Sequence, residues 1–377
     1  MENKRVHGLD TLRALAIILV FLYHYAVFVS KKPDFGWMSV SGWLGVDLFF
    51  VLSGYLIGNQ LLSHRIKDPK FSLKDFYARR ALRTWPVFWI VLTAYFVFPI
   101  ALGGKDPPPL WAFLTFTQNF GLLPGTAFSH AWSLCIEEQF YLVLPLAFLA
   151  ARRIGLRKTQ IWVLLGALMA VGITSRGVLW ASYGREDIGD IAGYYPKIYY
   201  ATLCRFDEFL PGIALALLKN FDTSAWNKII CHGKTLFFVG IGFSILLFYS
   251  MTHFYYIEDY GYGFFLTTFG YSLAAIVFSI LVASALSPSS WLYRVRIPGA
   301  YHLSLWSYSI YLSHKAVAHM VQKYAVPRAL SPTATFLVIS AVSVLVGALL
   351  HYLVEAPFLR LRNRYFSSTK RDKIGAT

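Results

Sequence analysis

His24 and His314, the carboxylates Asp47, Glu137 and Glu138, and the cluster Arg205, Asp207 and Glu208 all stand inside apolar stretches of a 377-residue chain. Ionisable groups in such stretches cost a few kcal/mol each to insert and mark interior polar sites by default. Counted at 1.5 Å per residue from the ends of their stretches, they fall about five to seven residues below one common boundary. Groups scattered for packing would not share a level, so the pattern predicts one polar site. Its chemistry is proton transfer, to which imidazole is suited at neutral pH, with a carboxylate orienting the ring or a substrate hydroxyl.

Arg13 lies deeper. It precedes His24 by eleven residues, which at 100° per residue is about 20° beyond three turns, so the two project from one helix face roughly 16 Å apart. A cation at one end and an imidazole at the other suit a site that takes an anionic reagent from one side and acts on something from the other. Pairing of Arg13 with Asp10, one turn earlier, is the alternative. Arg80 and Arg83 share a face if their segment is helical, and guanidinium groups bind phosphates bidentately. Their alternative is ordinary surface charge, snorkelling onto lipid phosphates.

The elements that carry these residues follow from composition. The chain is 56% hydrophobic, 18% aromatic and 14% charged, against about 25% charged for a soluble domain. Three cysteines (Cys135, Cys204, Cys231) cannot build a disulfide scaffold, and buried apolar cysteines are usually inert packing. No metal site is expected. The net charge of +16 would suit a nucleic-acid binder, but the basic residues cluster beside apolar segments. The bilayer, not nucleic acid, is the expected partner.

Apolar segments occur at 9–29, 41–61, 84–102, 131–150, 160–180, 200–218, 236–252, 263–286, 303–322 and 333–354, each near the length a bilayer demands. They predict an all-α, polytopic integral membrane protein of about ten transmembrane helices. The shorter run 111–120, after three prolines, reads as an interfacial or re-entrant piece. The first segment lacks a small-residue cleavage site and carries Arg13 and His24, so it is not expected to be a removable signal. With ten spans both termini share a side, and basic residues favour that side by roughly three to one, with Arg176 counted on the opposite face. Both termini are therefore expected in the cytoplasm. One membrane domain over 1–360 and a basic cytoplasmic tail over 361–377 complete the expected organisation.

Five blocks, in order, resemble the acyltransferase 3 family of bacterial membrane enzymes. Leu9-Asp10-Thr11-Leu12-Arg13-Ala14 with His24 is similar to the family's arginine, ten residues, histidine signature. Gly45-Val46-Asp47-Leu48-Phe49-Phe50-Val51-Leu52-Ser53-Gly54 is similar to its second-span motif, and Arg80-Ala81-Leu82-Arg83 to its arginine-x-x-arginine element. Trp132-Ser133-Leu134-Cys135-Ile136-Glu137 resembles its Trp-Ser-Leu…Glu segment, and Ser307-Tyr308-Ser309-Ile310-Tyr311-Leu312-Ser313-His314 its late block. The resemblance, over about residues 7–360, implies acyl transfer from acyl-coenzyme A on the cytoplasmic side to an extracytoplasmic hydroxyl. The chain ends soon after the last span, so the appended transferase or hydrolase domain of some members is expected to be absent.

An unactivated hydroxyl needs a base to remove its proton as it attacks. His24 is expected to be that base and Glu137 to orient His24 or the hydroxyl. Arg13 would bind the donor's thioester arm, and Arg80 and Arg83 its phosphates. Asp47, Ser53, Trp132, Ser133, Tyr308, Ser309 and His314 are cavity-lining or oxyanion candidates. No permanently bound cofactor is expected; acyl-coenzyme A, with acetyl the default, is a co-substrate. Direct attack is favoured over an acyl-enzyme, because no serine or cysteine stands out as nucleophile. The acceptor is expected to be an envelope polysaccharide or similar alcohol, and the location the bacterial inner membrane, multi-pass. Tyrosines 194, 195, 199, 200, 255, 256, 260 and 262 suggest a stacking surface for the acceptor, with an interfacial aromatic belt as the alternative. The competing function is a transporter or flippase, in which buried charges relay protons or substrate.

Overall fold

The computed structural model describes residues 5–65, 71–185, 191–325 and 330–371. Among them the only strands are the two-residue pair Tyr256–Ile257 and Gly261–Tyr262; everything else regular is helical. The main helices are α1 (His7–Tyr25), α2 (Leu44–Gln60), α3 (Leu73–Val97), α4 (Trp132–Ile154), α5 (Lys158–Tyr183) and α6 (Leu210–Phe221). They continue as α7 (Gly233–Phe254), α8 (Tyr271–Leu286), α9 (Ala300–Met320), α10 (Pro332–Leu350) and α11 (Ala356–Arg371). π-helical turns extend α1 over Ala26–Ser30 and join α10 to α11 over His351–Glu355.

By length and composition, seven of the described helices are apolar enough to cross a membrane, and they account for seven of the ten expected segments. The other three segments are helical but depart from a plain span, each for a physical reason. Segment 84–102 belongs to α3, which starts eleven residues earlier because the Ser72 side chain caps it by accepting from Asp75 N–H. Its first half therefore carries Arg79, Arg80 and Arg83, and it ends before Pro99. Segment 200–218 is broken into a helical turn (Thr202–Arg205), a 3₁₀ turn (Phe206–Phe209) and the short α6. Helix α9 is long enough, but its serines, tyrosines, histidines and Lys315 lower its hydropathy.

Close packing depends on small residues, as between membrane helices generally. A Cβ at Gly54 on α2 would lie 2.2 Å from the Phe209 carbonyl oxygen, and one at Gly212 on α6 would lie 2.2 Å from that of Val51. The backbones of α2 and of the broken helix thus meet with no side chain between them, which carries Asp47 to Arg205.

Two expectations are corrected here. Arg176 is not an outer-face charge: it is fully buried within α5, where it forms a two-pronged ion pair with Asp207 at 2.7 and 2.9 Å. It also donates to Ser272 Oγ and to the Thr268 and Cys204 carbonyls. The tyrosines do not form an open stacking surface either. Tyr194, Tyr199, Tyr200, Tyr255 and Tyr262 are buried, and Tyr256 and Tyr260 are the exposed ones of the eight. Tyr194 OH donates to Tyr255 OH at 3.0 Å, Tyr255 and Tyr271 hydroxyls lie 2.5 Å apart, and the Tyr194 and Tyr262 rings stack at 3.4 Å. Buried tyrosines need partners for their hydroxyls, and these supply one another's. The run 111–120 forms a short helix, Leu110–Leu114, and then a turn whose buried Asn119 donates to the Tyr200 carbonyl and Thr202 Oγ1. Helix α11 runs through the expected boundary at 361. The basic residues at 66–70, Arg328 and the tail beyond 371 lie outside the described residues.

Candidate active site

The groups predicted to share one site fall into three. At the last turn of α1, the Nδ1 of His24 lies 2.7 Å from the Nε2 of His314 on α9, with the rings stacked at 4.9 Å. The other nitrogen of His314, Nδ1, faces the carbonyl oxygens of Ile310 and Tyr311 at 3.1 and 2.8 Å. Carbonyl oxygens only accept, so Nδ1 of His314 bears its hydrogen and Nε2 is the acceptor in the neutral ring. His24 must then donate from Nδ1, which leaves the lone pair on its Nε2. A helix backbone thus sets the tautomer of one imidazole, which sets that of the next.

A third imidazole completes this group. Phe128 adopts a left-handed backbone conformation (φ 57°), unusual for a bulky residue, and turns the chain into a 3₁₀ turn over Ser129–Ala131. There His130 is buried, its Nε2 is 3.1 Å from the Leu312 carbonyl, and among the described residues its Nδ1 has no hydrogen-bond partner. Its ring centre lies 6.2 Å from that of His24 and 5.4 Å from that of His314. Ser133 and Tyr311 hydroxyls meet at 2.7 Å beside it, and Tyr311 OH donates to the His130 carbonyl. His24, His314 and Lys315 line a small recess with Phe21, Tyr25, Phe28 and Ala318.

The second group lies toward the other end of α1. Arg13 is within electrostatic reach of Arg80, Arg83, Glu137 and Tyr141. Asp10 does not hold it: that carboxylate takes both prongs of Arg5, at 2.8 and 2.9 Å, and the hydroxyl of Ser304. Arg80 stacks on the Tyr141 ring at 3.7 Å, and among the described residues its buried Nε has no hydrogen-bond partner. The nearby carboxylates are held by other donors. Ser53 Oγ donates to Glu137 Oε1 at 2.5 Å, Tyr141 OH donates to the same oxygen, and Thr84 Oγ1 donates to Glu138 at 2.8 Å. Among the described residues no ion pair takes up Arg13, Arg80 or Arg83. Three half-buried guanidinium groups outside any such ion pair have the chemistry to bind an anion. Glu137 thus sits among the arginines, hydrogen-bonded to Ser53 and Tyr141; His314 is what orients His24.

The third group is sealed. Arg205, Asp47 and Glu208 are fully buried; Arg205 binds Asp47 at 3.3 Å and Glu208 through Nε, under the faces of Trp132, Tyr199 and Tyr271 at 4.9, 4.9 and 4.1 Å. Asp47 and Trp132 are therefore parts of a structural clamp instead of cavity walls. Tyr308 OH donates to the Thr84 carbonyl at 2.7 Å, and Ser309 Oγ donates to Glu355 at 3.2 Å, the carboxylate that also binds His351 at 2.8 Å. Both hydroxyls are committed, and neither is free to face an oxyanion.

Sequence reasoning gave no role to His130, Lys315 or the His351–Glu355 pair. Lys315 adjoins His314 and His130 precedes Trp132 by two residues, so proximity to motifs was the available signal. The chain belongs to the acyltransferase family described as an acyltransferase domain, which it matches over residues 6–353. It is 30% identical over 363 residues to the peptidoglycan O-acetyltransferase OatA of Listeria monocytogenes, covering 89% of this chain and 54% of that protein. It is 28% identical over 389 residues to the O-acetyltransferase OatA of Staphylococcus aureus (strain NCTC 8325), covering 97% and 59%. The chain thus spans little more than half the length of the curated relatives it matches. No solved structure matches it.

Proposed function

We propose that this multi-pass membrane protein is an O-acetyltransferase, taking an acetyl group from acetyl-coenzyme A at the cytoplasmic end and giving it to a hydroxyl of an envelope glycan at the other. One observation carries the reading: a single helix, α1, contributes Arg13 to an unpaired arginine trio and, eleven residues on, His24 with a lone pair on Nε2. The trio supplies forks for the donor's phosphates, with Arg13 nearest the thioester arm. His24 Nε2 takes the acceptor's proton as its oxygen attacks the thioester carbonyl. The carbon–sulfur bond then breaks, the proton passes to the leaving sulfur, and the products are an O-acetyl ester and free coenzyme A. His314 holds the base in the required tautomer. Membership in an acyltransferase family favours transfer over transport, and the name of the Listeria relative supports a cell-wall glycan as acceptor class. The bias of basic residues toward the expected cytoplasmic side supports this direction of transfer.

Full-length protein purified in detergent and given labelled acetyl-coenzyme A should hydrolyse or transfer the label. His24→Ala should reduce turnover by about 10²–10⁴-fold while leaving thermal unfolding unchanged. Turnover indifferent to that substitution would defeat the assignment.

A further inference from the structure

We propose that a cavity at the far end of α1 and α9, bounded by Phe28, Tyr95, Thr126, Phe128, Lys315 and His319, is the acceptor subsite, and that it takes a hydroxylated ring bearing an anionic group. The inference rests on the reading of His24 as base, and names what is brought to it.

Position is the first argument. The cavity, about 130 Å³, shares Phe28 and Lys315 with the recess that contains His24 and His314. Its walls offer the mixture a sugar ring needs. Tyr95 and Phe128 stack at 4.9 Å and present apolar surface, while Thr126 and the backbones of Gly103 and Gly125 are polar. The backbone at both glycines is left-handed (φ 71° and 82°), and a Cβ at Gly103 would come within 2.8 Å of the His319 ring. Only glycine lets this loop close against α9 there.

Charge is the second. Lys315 and His319 are the basic groups of the wall, and among the described residues no carboxylate lines it. Among the described residues Lys315 enters no ion pair; its ammonium lies 3.9 Å from the centre of the Phe28 ring. Lys315 is partly exposed and lines the cavity, and a cation–π contact of about 0.5–2 kcal/mol leaves its ammonium able to take a further partner. The missing counter-charge is therefore placed on the ligand, as a carboxylate or a phosphate of the glycan.

The test uses the detergent-purified full chain, saturating acetyl-coenzyme A and three acceptors: methyl glucoside, methyl glucuronoside and glucose 1-phosphate. The wild type should favour at least one acidic acceptor over the neutral one by about tenfold or more in kcat/KM, and which one identifies the anion. Lys315→Met should bring that ratio to within about threefold of unity, and Lys315→Arg should keep it. Thr126→Glu, which adds a like charge to the cavity wall from a loop, should also abolish the preference, and it decides the matter if Lys315→Met does not fold. Equal transfer to all acceptors by the wild type removes the subsite and leaves the catalytic reading standing. Equal losses on acidic and neutral acceptors in Lys315→Met would give the ammonium to the oxyanion of the reaction and overturn the proposal. Absence of any thioester turnover removes both readings.

Discussion

His24 Nδ1 and His314 Nε2 stand 2.7 Å apart, and the carbonyls of Ile310 and Tyr311 decide which of the two donates. The pair does with two imidazoles what a histidine–carboxylate dyad does with one, but adds no negative charge to the apolar setting. His314→Leu should therefore lower kcat by about 10–10²-fold, because the tautomer of His24 is no longer fixed. His314→Gln, which can still present an acceptor oxygen, should recover much of the loss. Equal rates for the two variants would deny His314 a positioning role. Turnover kinetics at saturating donor make the comparison.

Arg80→Ala combined with Arg83→Ala should raise KM for acetyl-coenzyme A by at least about tenfold with a smaller change in kcat, each charge-assisted hydrogen bond contributing about 1.5–3 kcal/mol. Arg13→Ala should fall on kcat as well, since Arg13 lies on the helix that carries the base. Donor affinity unchanged in the double variant would take those two residues out of the site.

Arg205→Met should destabilise the fold by about 3–5 kcal/mol, because it strands Asp47 and Glu208 without a counter-charge. Adding Asp47→Asn and Glu208→Gln should restore part of the lost unfolding temperature in detergent. A single variant as stable as wild type would mean the clamp is idle.

Just beyond the end of α6, the hydrogen bond from Lys158 and the Ala225 N–H hold the Asp222 carboxyl below its usual range. A depressed carboxylate contributes stability that is present above its unfolded pKa, about 3.9, and is lost as pH falls through the lower folded value. The difference in unfolding temperature between wild type and Asp222→Asn should therefore be small but measurable at pH 7 and vanish under strongly acidic conditions. A difference that grew on acidification would contradict the linkage.

Much of this was legible in the residues. The face shared by Arg13 and His24 needed only the helical repeat, and α1 is a continuous helix over both. Counting also put His24, Asp47, Glu137, Arg205 and His314 at one depth, but Glu137 lies with Arg13 and Ser53 toward the other end of α1, and depth is in any case a single coordinate. It does not say which helices are neighbours, and that is what separates His24 with His314 from Asp47 with Arg205. His130 escaped because it is aimed by a left-handed turn at Phe128, which no hydrophobic period encodes. The tyrosines misled because loop aromatics read alike whether they face water or, as here, pack on one another, with Tyr199 over a buried guanidinium.

Because α1 is one unbroken rod from His7 to Tyr25, the gap between the anchor at Arg13 and the lone pair at His24 is a fixed length, about 16 Å. On the proposed mechanism the chain then carries a built-in ruler: a donor whose reactive carbon does not reach the second mark would go unused, however well its head is gripped. Inserting one residue between the marks would turn the base by about 100° and lengthen the scale by about 1.5 Å, a change of gauge rather than of chemistry.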